Sequence, residues 1–238
     1  MSTAAVVIIG NEVLTGKFAD ENGPYLIGRL RTLGTDLVRL VTIPDDVAVI
    51  ADEVRRCADR ADHVFTSGGV GPTHDDVTFE GVAAAFEAPV ELRSELLDLV
   101  AQFGMPRNDG TERMARVPAG AELLFHEALS YPVVRVRNVY VLPGVPKLFR
   151  NKFEAIASRF AGEAVGVARV YTDEDEWVIA GRLTAIANRW PTVAIGSYPR
   201  WGEGPFHVIL TLESRDLPAL ASAEAEIRRT FRTITLPS

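Results

Sequence analysis

Runs of β-branched and apolar residues alternate along the first part of the chain with stretches in which apolar residues recur every three or four positions. The runs predict strands at 4–10, 36–44 and 63–69. The stretches predict helices through Leu26, Ile27, Leu30 and Leu33, through Val47, Ile50, Val54 and Cys57, and through 77–86. Strand, loop and helix repeated in this order predict a mostly parallel sheet with helices on both faces.

The middle of the chain adds a fourth unit and an insertion before it. The run RVRNVYVLPGVPK, residues 135–147, predicts one strand, followed by a helix from Pro146 to about Phe160. Between the third and fourth units lie a helix-like stretch, SELLDLVAQFG, and a polar turn, PRNDG. This insertion is a candidate cover for the sheet edge at which the loops after the strands gather.

After Gly166 the pattern changes to strand, helix, two strands and helix, an order that predicts a small α+β domain. We therefore predict an α/β fold with three layers around a mostly parallel sheet, plus a small C-terminal α+β domain. The predicted domains are 1–163 and 164–238. Trp177, Trp190 and Trp201 either pack the small domain onto the large one or face a partner, and the sequence leaves both open.

Composition narrows the classes of function. The 238 residues are 47% apolar and 24% charged, enough for a sizeable core. A net charge of −7 argues against binding to nucleic acid or an anionic membrane. The single cysteine, Cys57, has helical spacing typical of core packing, and the four histidines show no zinc-ligand spacing, so a metal site would use oxygen ligands. Without a signal peptide or membrane-length apolar run, we expect a cytoplasmic protein.

The segment TSGGVGPTHDDVTFEG, residues 66–81, carries the strongest chemical signal. Gly68, Gly69 and Gly71 would let backbone N–H groups converge on a phosphate, which side chains would otherwise obstruct. The adjacent acids Asp75 and Asp76 are unexpected beside an anion site. The segment does not match the P-loop or the Rossmann glycine motif.

Two explanations fit these acids. Thr73 and Asp76 have the spacing of a capping box at a helix N-terminus, where negative charge is favourable. Alternatively, Asp76 and the acids Asp45 and Asp46, which follow the preceding strand, lie on the same predicted edge. Carboxylates from two loops beside a phosphate site resemble the way Mg²⁺ is commonly held, so a cation would reconcile the charges.

The other loops of the same edge supply further candidates. The first loop is rich in polar side chains, and either a solvated turn or a ligand contact fits them: Asn11, Glu12, Lys17, Asp20 and Asn22. Pro143 and Gly144 form either a rigid pocket wall or a plain turn. His74 is a possible proton donor, although a lone exposed histidine is more often incidental.

These motifs resemble the MoaB/Mog-type molybdopterin-binding domain family, including the N-terminal domain of CinA proteins. The resemblance is carried by residues 43–46, 66–73, 75–78 and 142–147. Val70 departs from the threonine of the pterin-adenylylating branch, which favours the CinA-like branch. Residues such as TDEDEWVIA, IGSYPRWGEG and VILTLESRD are similar to the region after the corresponding domain of eukaryotic FAD synthases.

The resemblance implies a site for a phosphorylated pterin or nucleotide, and in the CinA-like and FAD-synthase branches metal-dependent cleavage of a pyrophosphate bond in ADP-ribose or FAD. It implies that Asp45 and Asp76 hold a divalent cation (Mg, Mn or Co) and orient the attacking group. Gly68, Gly69, Gly71 and Thr73 would bind the phosphates, with Asn11, Glu12, Asp20, Asn22, Pro143 and Gly144 as further contacts. It also implies a homo-oligomer, a dimer or trimer.

Three interpretations remain open from the sequence. The first is a divalent-metal-dependent hydrolase of a pyrophosphate bond. The second is a binding module for molybdopterin or another pterin phosphate, linked to molybdenum cofactor biosynthesis and without chemistry of its own. The third is an oligomeric scaffold whose site has decayed. The amidohydrolase domain of full-length CinA proteins and the FAD-forming domain of the synthases have no counterpart in these residues, so neither of those activities is expected.

Overall fold

A computed structural model of the chain describes residues 2–202 and 204–235. The chain divides into two compact units, Met1–Gly162 and Glu163–Ser238. The first unit contains the predicted alternation of strands and helices. Its strands are β1 Thr3–Ile9, β2 Asp36–Ile43, β3 His63–Ser67, β4 Val90–Leu92, β5 Arg116–Pro118, β6 Glu122–Leu124, β7 Val133–Val136 and β8 Val139–Leu142. Its helices are α1 Asn11–Leu14, α2 Asn22–Leu33, α3 Val47–Ala58, α4 Thr78–Ala85, α5 Ser94–Gln102, α6 Asp109–Met114 and α7 Pro146–Ile156, with a 3₁₀ turn at Ala157–Phe160.

The main sheet has the strand order β2-β1-β3-β8-β7-β6. Strands β2, β1, β3 and β8 are mutually parallel, and β7 and β6 extend the sheet in antiparallel pairs. The mostly parallel sheet is therefore confirmed. The short strands β4 and β5 of the insertion pair with each other in a separate two-stranded sheet.

The prediction of one strand across 135–147 is wrong. The backbone reverses at Arg137, which has a left-handed φ of 53°, and the run becomes the hairpin of β7 and β8. Asn138 fixes this turn, since its Nδ2 donates to the carbonyl oxygens of Ala58 and Ala61 at 3.0 and 2.9 Å. The hairpin places the start of β7 beside the end of β8, at the edge where the predicted site lies.

Apolar side chains fill both faces of the sheet, which confirms the three layers. On one face, Ile50 and Val54 of α3 and Val82 of α4 pack with Val7 and Val64 of the sheet. On the other face, the core joins helices α2 and α7 to the sheet through Leu26, Leu30, Phe65, Phe149 and Phe153. Ile27, predicted on the same apolar face as Leu26, is instead 48% exposed. Gly34 ends α2 in the left-handed conformation.

Cys57 lies in the core of the first unit, as predicted, and its thiol is 3.5 Å from a carboxylate oxygen of Glu53. Burial, followed by the negative charge of Glu53, raises the pKa of Cys57 to about 12.

Because only the thiolate of Cys57 is nucleophilic, native protein at pH 8 should not react with a disulfide reagent such as DTNB. One equivalent should react after unfolding in guanidinium. Rapid labelling of the native protein would contradict this placement.

The second unit is a four-stranded antiparallel sheet with two helices on one face, and its strand order is β10 (Ala194–Pro199), β11 (Val208–Ser214), β9 (Gly166–Thr172) and β12 (Thr233–Ile234). The predicted order of strand, helix, two strands and helix is confirmed, and a short final strand follows it. Its elements are β9 Gly166–Thr172, α8 Glu176–Arg189, β10 Ala194–Pro199, β11 Val208–Ser214, α9 Leu217–Thr230 and β12 Thr233–Ile234. Trp190 packs against this core, with its Nε1 donating to Glu226 at 2.7 Å, whereas Trp177 and Trp201 are exposed.

Candidate functional site

A cavity of about 670 Å³ opens at the edge of the main sheet where β1, β3 and β8 end. Its walls come from the segments that follow these strands, around 12–22, 67–71 and 143–148, and from the inserted region through Met114 and Tyr131. Parallel strands bring their carboxyl ends to one edge, and loops there are the usual ligand site of open α/β sheets. The first of these segments, predicted as a loop, contains the short helix α1 before α2 begins at Asn22.

The glycine-rich loop of the cavity depends on residues without side chains. Gly68 and Gly69 have φ values of 107° and 63°, which residues with a Cβ rarely adopt. A Cβ on Gly68 would overlap the carbonyl oxygen of Ile9, and one on Gly69 would overlap the hydroxyl of Thr78. Thr78, the first residue of α4, anchors the loop by donating from Oγ1 to Gly68 at 2.8 Å and from its N–H to Gly69 at 2.9 Å.

This loop has three consecutive residues at the cavity whose backbone N–H groups are not used within the described part of the protein. Gly69, Val70 and Gly71 all line it, and within residues 2–202 and 204–235 no acceptor is bonded to their N–H groups. By contrast, the N–H of Gly68 donates to Leu142 at 3.1 Å within the protein. Buried or half-buried N–H groups are nearly always satisfied, by protein, water or ligand. Successive free N–H groups in a turn are an anion-binding arrangement.

Most of the predicted site residues line this one cavity. Nine of them do so: Glu12, Asp20, Asn22, Gly68, Gly69, Gly71, Asp76, Pro143 and Gly144. The lining does not include Asn11, Asp45 or Thr73. Thr73 is hydrogen-bonded to the lining residue Asp76. Asn11 and Asp45 are joined by a hydrogen bond from the Asn11 N–H to Asp45 Oδ2 at 2.8 Å. His74 is almost fully exposed and lies outside the cavity.

Thr73 and Asp76 do not form a helix cap, which corrects one of the two explanations for the acid. Both the N–H and the hydroxyl of Thr73 donate to Asp76 Oδ2, the former at 2.9 Å. This bond closes a turn inside the loop, whereas α4 begins only at Thr78 and has no side-chain cap. Thr73 therefore uses its donors on Asp76 and holds that carboxylate at the cavity wall. Asp46, in contrast, caps α3 by accepting from Ala48 and Val49.

Asp45 experiences the charge of the acids around the glycine loop. Burial raises the pKa of its carboxyl, the hydrogen bond from Asn11 opposes this, and the negative charges of Glu12, Asp75 and Asp76 raise it further. Asp45 and Asp76, from loops after different strands, are therefore close enough to interact. Among the described residues, neither carboxylate has a donor on its Oδ1 atom.

Removing one of these like charges should lower the pKa of Asp45. We expect Glu12→Gln to shift the Asp45 titration to lower pH, as followed by ¹³C NMR of the aspartate carboxyl carbons. Glu21→Gln provides a control, since Glu21 also lines the cavity but pairs with Arg150 and does not contribute to the Asp45 shift. An unchanged Asp45 pKa in Glu12→Gln would show that the charge of Glu12 does not affect the Asp45 carboxyl.

Asn22 connects the three loops of the cavity from a buried position. Its Nδ2 donates to Ser67 Oγ at 2.9 Å and to the carbonyl oxygen of Gly144 at 2.8 Å. The bond to a carbonyl fixes which amide atom is nitrogen, because a carbonyl oxygen only accepts. The Asn22 Oδ1 atom is buried without a hydrogen-bond donor. Asp20 supports this arrangement by accepting from the N–H groups of Asn22 and Gly23, both at 2.9 Å.

Sequence reasoning missed the far wall of the cavity. There, Lys152 of α7 donates from Nζ to the carbonyl oxygen of Pro132 and lies 5.0 Å from the ring centroid of Tyr131. Tyr131 in turn donates to Met114 at 2.6 Å. Burial lowers the pKa of Lys152 to about 8 and raises that of Tyr131. A signal was present in the sequence, since Lys152 lies three residues after Phe149 and four before Ile156 on the buried stripe of α7.

Within residues 2–202 and 204–235, no group of three or more His, Cys, Asp or Glu side chains is arranged to hold a metal ion. Asp45 and Asp76 thus form at most a two-carboxylate site. Over the same residues, every helix is too short or too polar to cross a membrane.

Comparisons with known proteins agree with this fold. Residues 5–162 match the family described as a probable molybdopterin binding domain, and residues 165–236 match the middle domain of FAD synthase. A CinA protein of Thermoplasma acidophilum has a solved structure similar to this one, with a TM-score of 0.61 and 27% identity, covering 67% of this chain and 98% of that chain. The fold thus defines an α/β domain of the CinA-like type.

The chain belongs to the molybdopterin-binding domain family, as its motifs predicted. Among its relatives, a protein of Archaeoglobus fulgidus is 34% identical over 89% of this chain and 90% of its own length. A probable FAD synthase of Caenorhabditis elegans is 32% identical over 95% of this chain but only 49% of its own length. A CinA-like protein of a Geobacter species is 30% identical over 94% and 57%, respectively. The chain thus spans about half the length of the FAD synthase and CinA-like relatives.

Proposed function

We propose that this protein binds the diphosphate of a nucleotide such as ADP-ribose or FAD at the glycine loop and hydrolyses its pyrophosphate bond with the help of a divalent cation. The observation that carries the proposal is the row of three residues, Gly69, Val70 and Gly71, that line the cavity together with Asp76 and whose N–H groups have no acceptor among the described residues. Backbone donors of this kind bind phosphate oxygens and stabilise charge that develops on them.

The donor atoms available fit a cation that is shared with the substrate. Mg²⁺ and related ions are commonly held by one or two carboxylates together with substrate phosphates. Asp45 and Asp76 each have one carboxylate oxygen without a donor among the described residues, and their mutual repulsion favours a cation between them. A bound cation would polarise the phosphoryl oxygens and lower the pKa of a water molecule.

Backbone and side-chain groups of the protein would carry out the remaining steps. The glycine-loop N–H groups would hold the two phosphates, and Asn22 Oδ1 would accept from a hydroxyl or amino group of the ligand. Asp45 or Asp76 would accept the proton of the attacking water. Water would add to one phosphorus atom while the bond between that phosphorus atom and the bridging oxygen breaks. ADP-ribose would give AMP and ribose 5-phosphate, and FAD would give AMP and FMN.

The test is release of AMP from ADP-ribose or FAD by purified protein with Mg²⁺, Mn²⁺ or Co²⁺, measured by chromatography. We expect turnover with at least one of these ions and its loss on addition of EDTA. Restoration of turnover by the same ion distinguishes metal dependence from damage by the chelator. The absence of AMP with every ion would contradict the proposal of hydrolysis.

A second candidate function is a pterin-phosphate binding module without catalysis. It is favoured by the family match over residues 5–162 and by the apolar cavity walls, which include Phe18 and Phe79. Calorimetry with a pterin phosphate and with ADP-ribose separates the two candidates. A module would bind the pterin and leave both ligands intact, whereas a hydrolase would bind ADP-ribose and consume it when the cation is present.

A further inference from the structure

The far wall of the cavity contains an amine without a carboxylate partner. Among the described residues that line the cavity, Lys152 is the one Lys or Arg side chain, while Glu12, Asp20, Glu21 and Asp76 contribute negative charge. Its Nζ donates to Pro132, which leaves two N–H donors, and no ion pair joins it to an acid within the described residues. A partly buried ammonium group is costly unless it is paired with a negative charge.

The strand register relates the acceptor of this amine, Pro132, to the glycine loop. Ser67 at the end of β3 pairs with Leu142 of β8, and Val141 of β8 pairs with Val134 of β7. Pro132, just before β7, therefore lies two strand spacings from Gly68, roughly 10 Å across the sheet edge. Because Lys152 donates to Pro132 and lines the same cavity as the glycine loop, one anion in this cavity can approach both.

We propose that Lys152 binds the same diphosphate as the glycine loop, from the opposite side of β8. This inference rests on the proposed function. It specifies the ligand as an anion that is held by backbone N–H groups on one side and by an ammonium group on the other. Lys152 is a binding residue in this proposal. It would supply the positive charge that the acidic cavity otherwise lacks and would confine the ligand to diphosphates long enough to reach both walls.

The proposal predicts coupling between binding and the protonation of Lys152. Burial lowers the pKa of its amine to about 8, so the unliganded site loses its positive charge as the pH rises above 8, and a bound anion restores it. Tyr131 is the titratable side chain in contact with the amine, and its raised pKa keeps it neutral. Among the charged groups on the surrounding elements, Arg135 pairs with Glu122, Arg150 with Glu21 and Arg29 with Glu154. The other acids of the cavity, Glu12, Asp20 and Asp76, form no ion pair with Lys152 within the described residues.

The experiment is isothermal titration calorimetry of a methylene-bridged ADP-ribose analogue, which cannot be hydrolysed at the bridge. At pH 7, Lys152→Met should raise the Kd about ten- to hundredfold, as expected for loss of a charged hydrogen bond. Lys147→Met is the matched control, because Lys147 is an exposed lysine of the same helix, outside the cavity lining, and should change Kd less than about twofold. Thermal unfolding of each variant establishes that it is folded.

A second readout separates binding from a merely structural role. At pH 8, wild-type protein should take up about half a proton per ligand bound, as obtained from titrations in buffers of different ionisation enthalpy. Lys152→Met should take up none. Lys152→Arg should restore most of the affinity without proton uptake, since arginine stays protonated.

The outcomes distinguish this inference from the proposed function. Binding by wild-type protein with an unchanged Kd and unchanged proton uptake in Lys152→Met would overturn the role of Lys152 and leave the glycine-loop proposal standing. If the wild-type protein does not bind the analogue with or without Mg²⁺, both proposals fail.

Discussion

Asp45→Asn and Asp76→Asn are each expected to reduce the rate of AMP release from ADP-ribose at least about a hundredfold, with the divalent cation present. Asparagine keeps the size of the side chain and can still accept the hydrogen bonds from Asn11 or Thr73, so the loops should stay in place. What the substitution removes is the negative charge that would hold the cation and accept a proton. The rate should be measured over a range of cation concentrations, because weaker cation binding predicts partial recovery at high concentration.

Asp46→Asn is the matched control for these two variants. Asp46 is adjacent to Asp45 but caps α3 through Ala48 and Val49, and asparagine is an equally good capping residue. It should retain the wild-type rate within about twofold. Full activity of Asp45→Asn or Asp76→Asn would contradict the catalytic assignment, whereas an equal loss in Asp46→Asn would point to general damage.

Gly68→Ala is expected to destabilise the first unit by about 2–4 kcal/mol, the largest effect on stability among single-methyl additions in the loop. The added Cβ would overlap the carbonyl oxygen of Ile9, at the end of a buried strand, and the residue would have to keep a φ of 107°. The atoms nearest to the added Cβ all belong to the backbone of Ile9, so no flexible side chain can move away to make room. The effect should appear in the calorimetric unfolding midpoint and, because the loop shifts, in weaker binding of diphosphates.

Gly28→Ala tests the same chemical change where the chain has room for it. Gly28 lies exposed within α2, with no neighbouring atom within 4 Å of an added Cβ. Alanine there should stabilise the protein by roughly 0.5–1 kcal/mol through its higher helix propensity. A Gly68→Ala protein as stable as wild type would show that the glycine loop is not constrained as described.

Much of the fold could be predicted because local patterns agree with the final structure. The β-branched run of β1 is buried on both faces, and the three-to-four spacing in α3 matches its buried residues Ile50, Val54 and Cys57. Val47, predicted on the same face, is instead 38% exposed. The hairpin of β7 and β8 could not be read from its sequence. Its turn uses Arg137 and Asn138 with no glycine, and Asn138 is fixed by carbonyl groups about 80 positions earlier in the chain.

The candidate site was partly predictable for the same reason. Its glycine loop and acids follow strands directly, so topology alone brings them to one edge. The role of Thr73 could not be predicted, because the spacing of a capping box also fits a turn that closes before the helix begins. Lys152 and Tyr131 reach the cavity from α7 and from the inserted region, and only long-range packing brings them opposite the glycine loop.

Binding of the ligand phosphates by the N–H groups of Gly69, Val70 and Gly71 can be measured directly. The measurement is an assigned ¹H–¹⁵N correlation spectrum, recorded while the methylene-bridged ADP-ribose analogue is added in the presence of Mg²⁺. We expect the largest chemical-shift changes at these three amides, with smaller changes at Asn22 and Gly144. Saturable binding that leaves the three amides unchanged, with the largest shifts elsewhere in the chain, would contradict it.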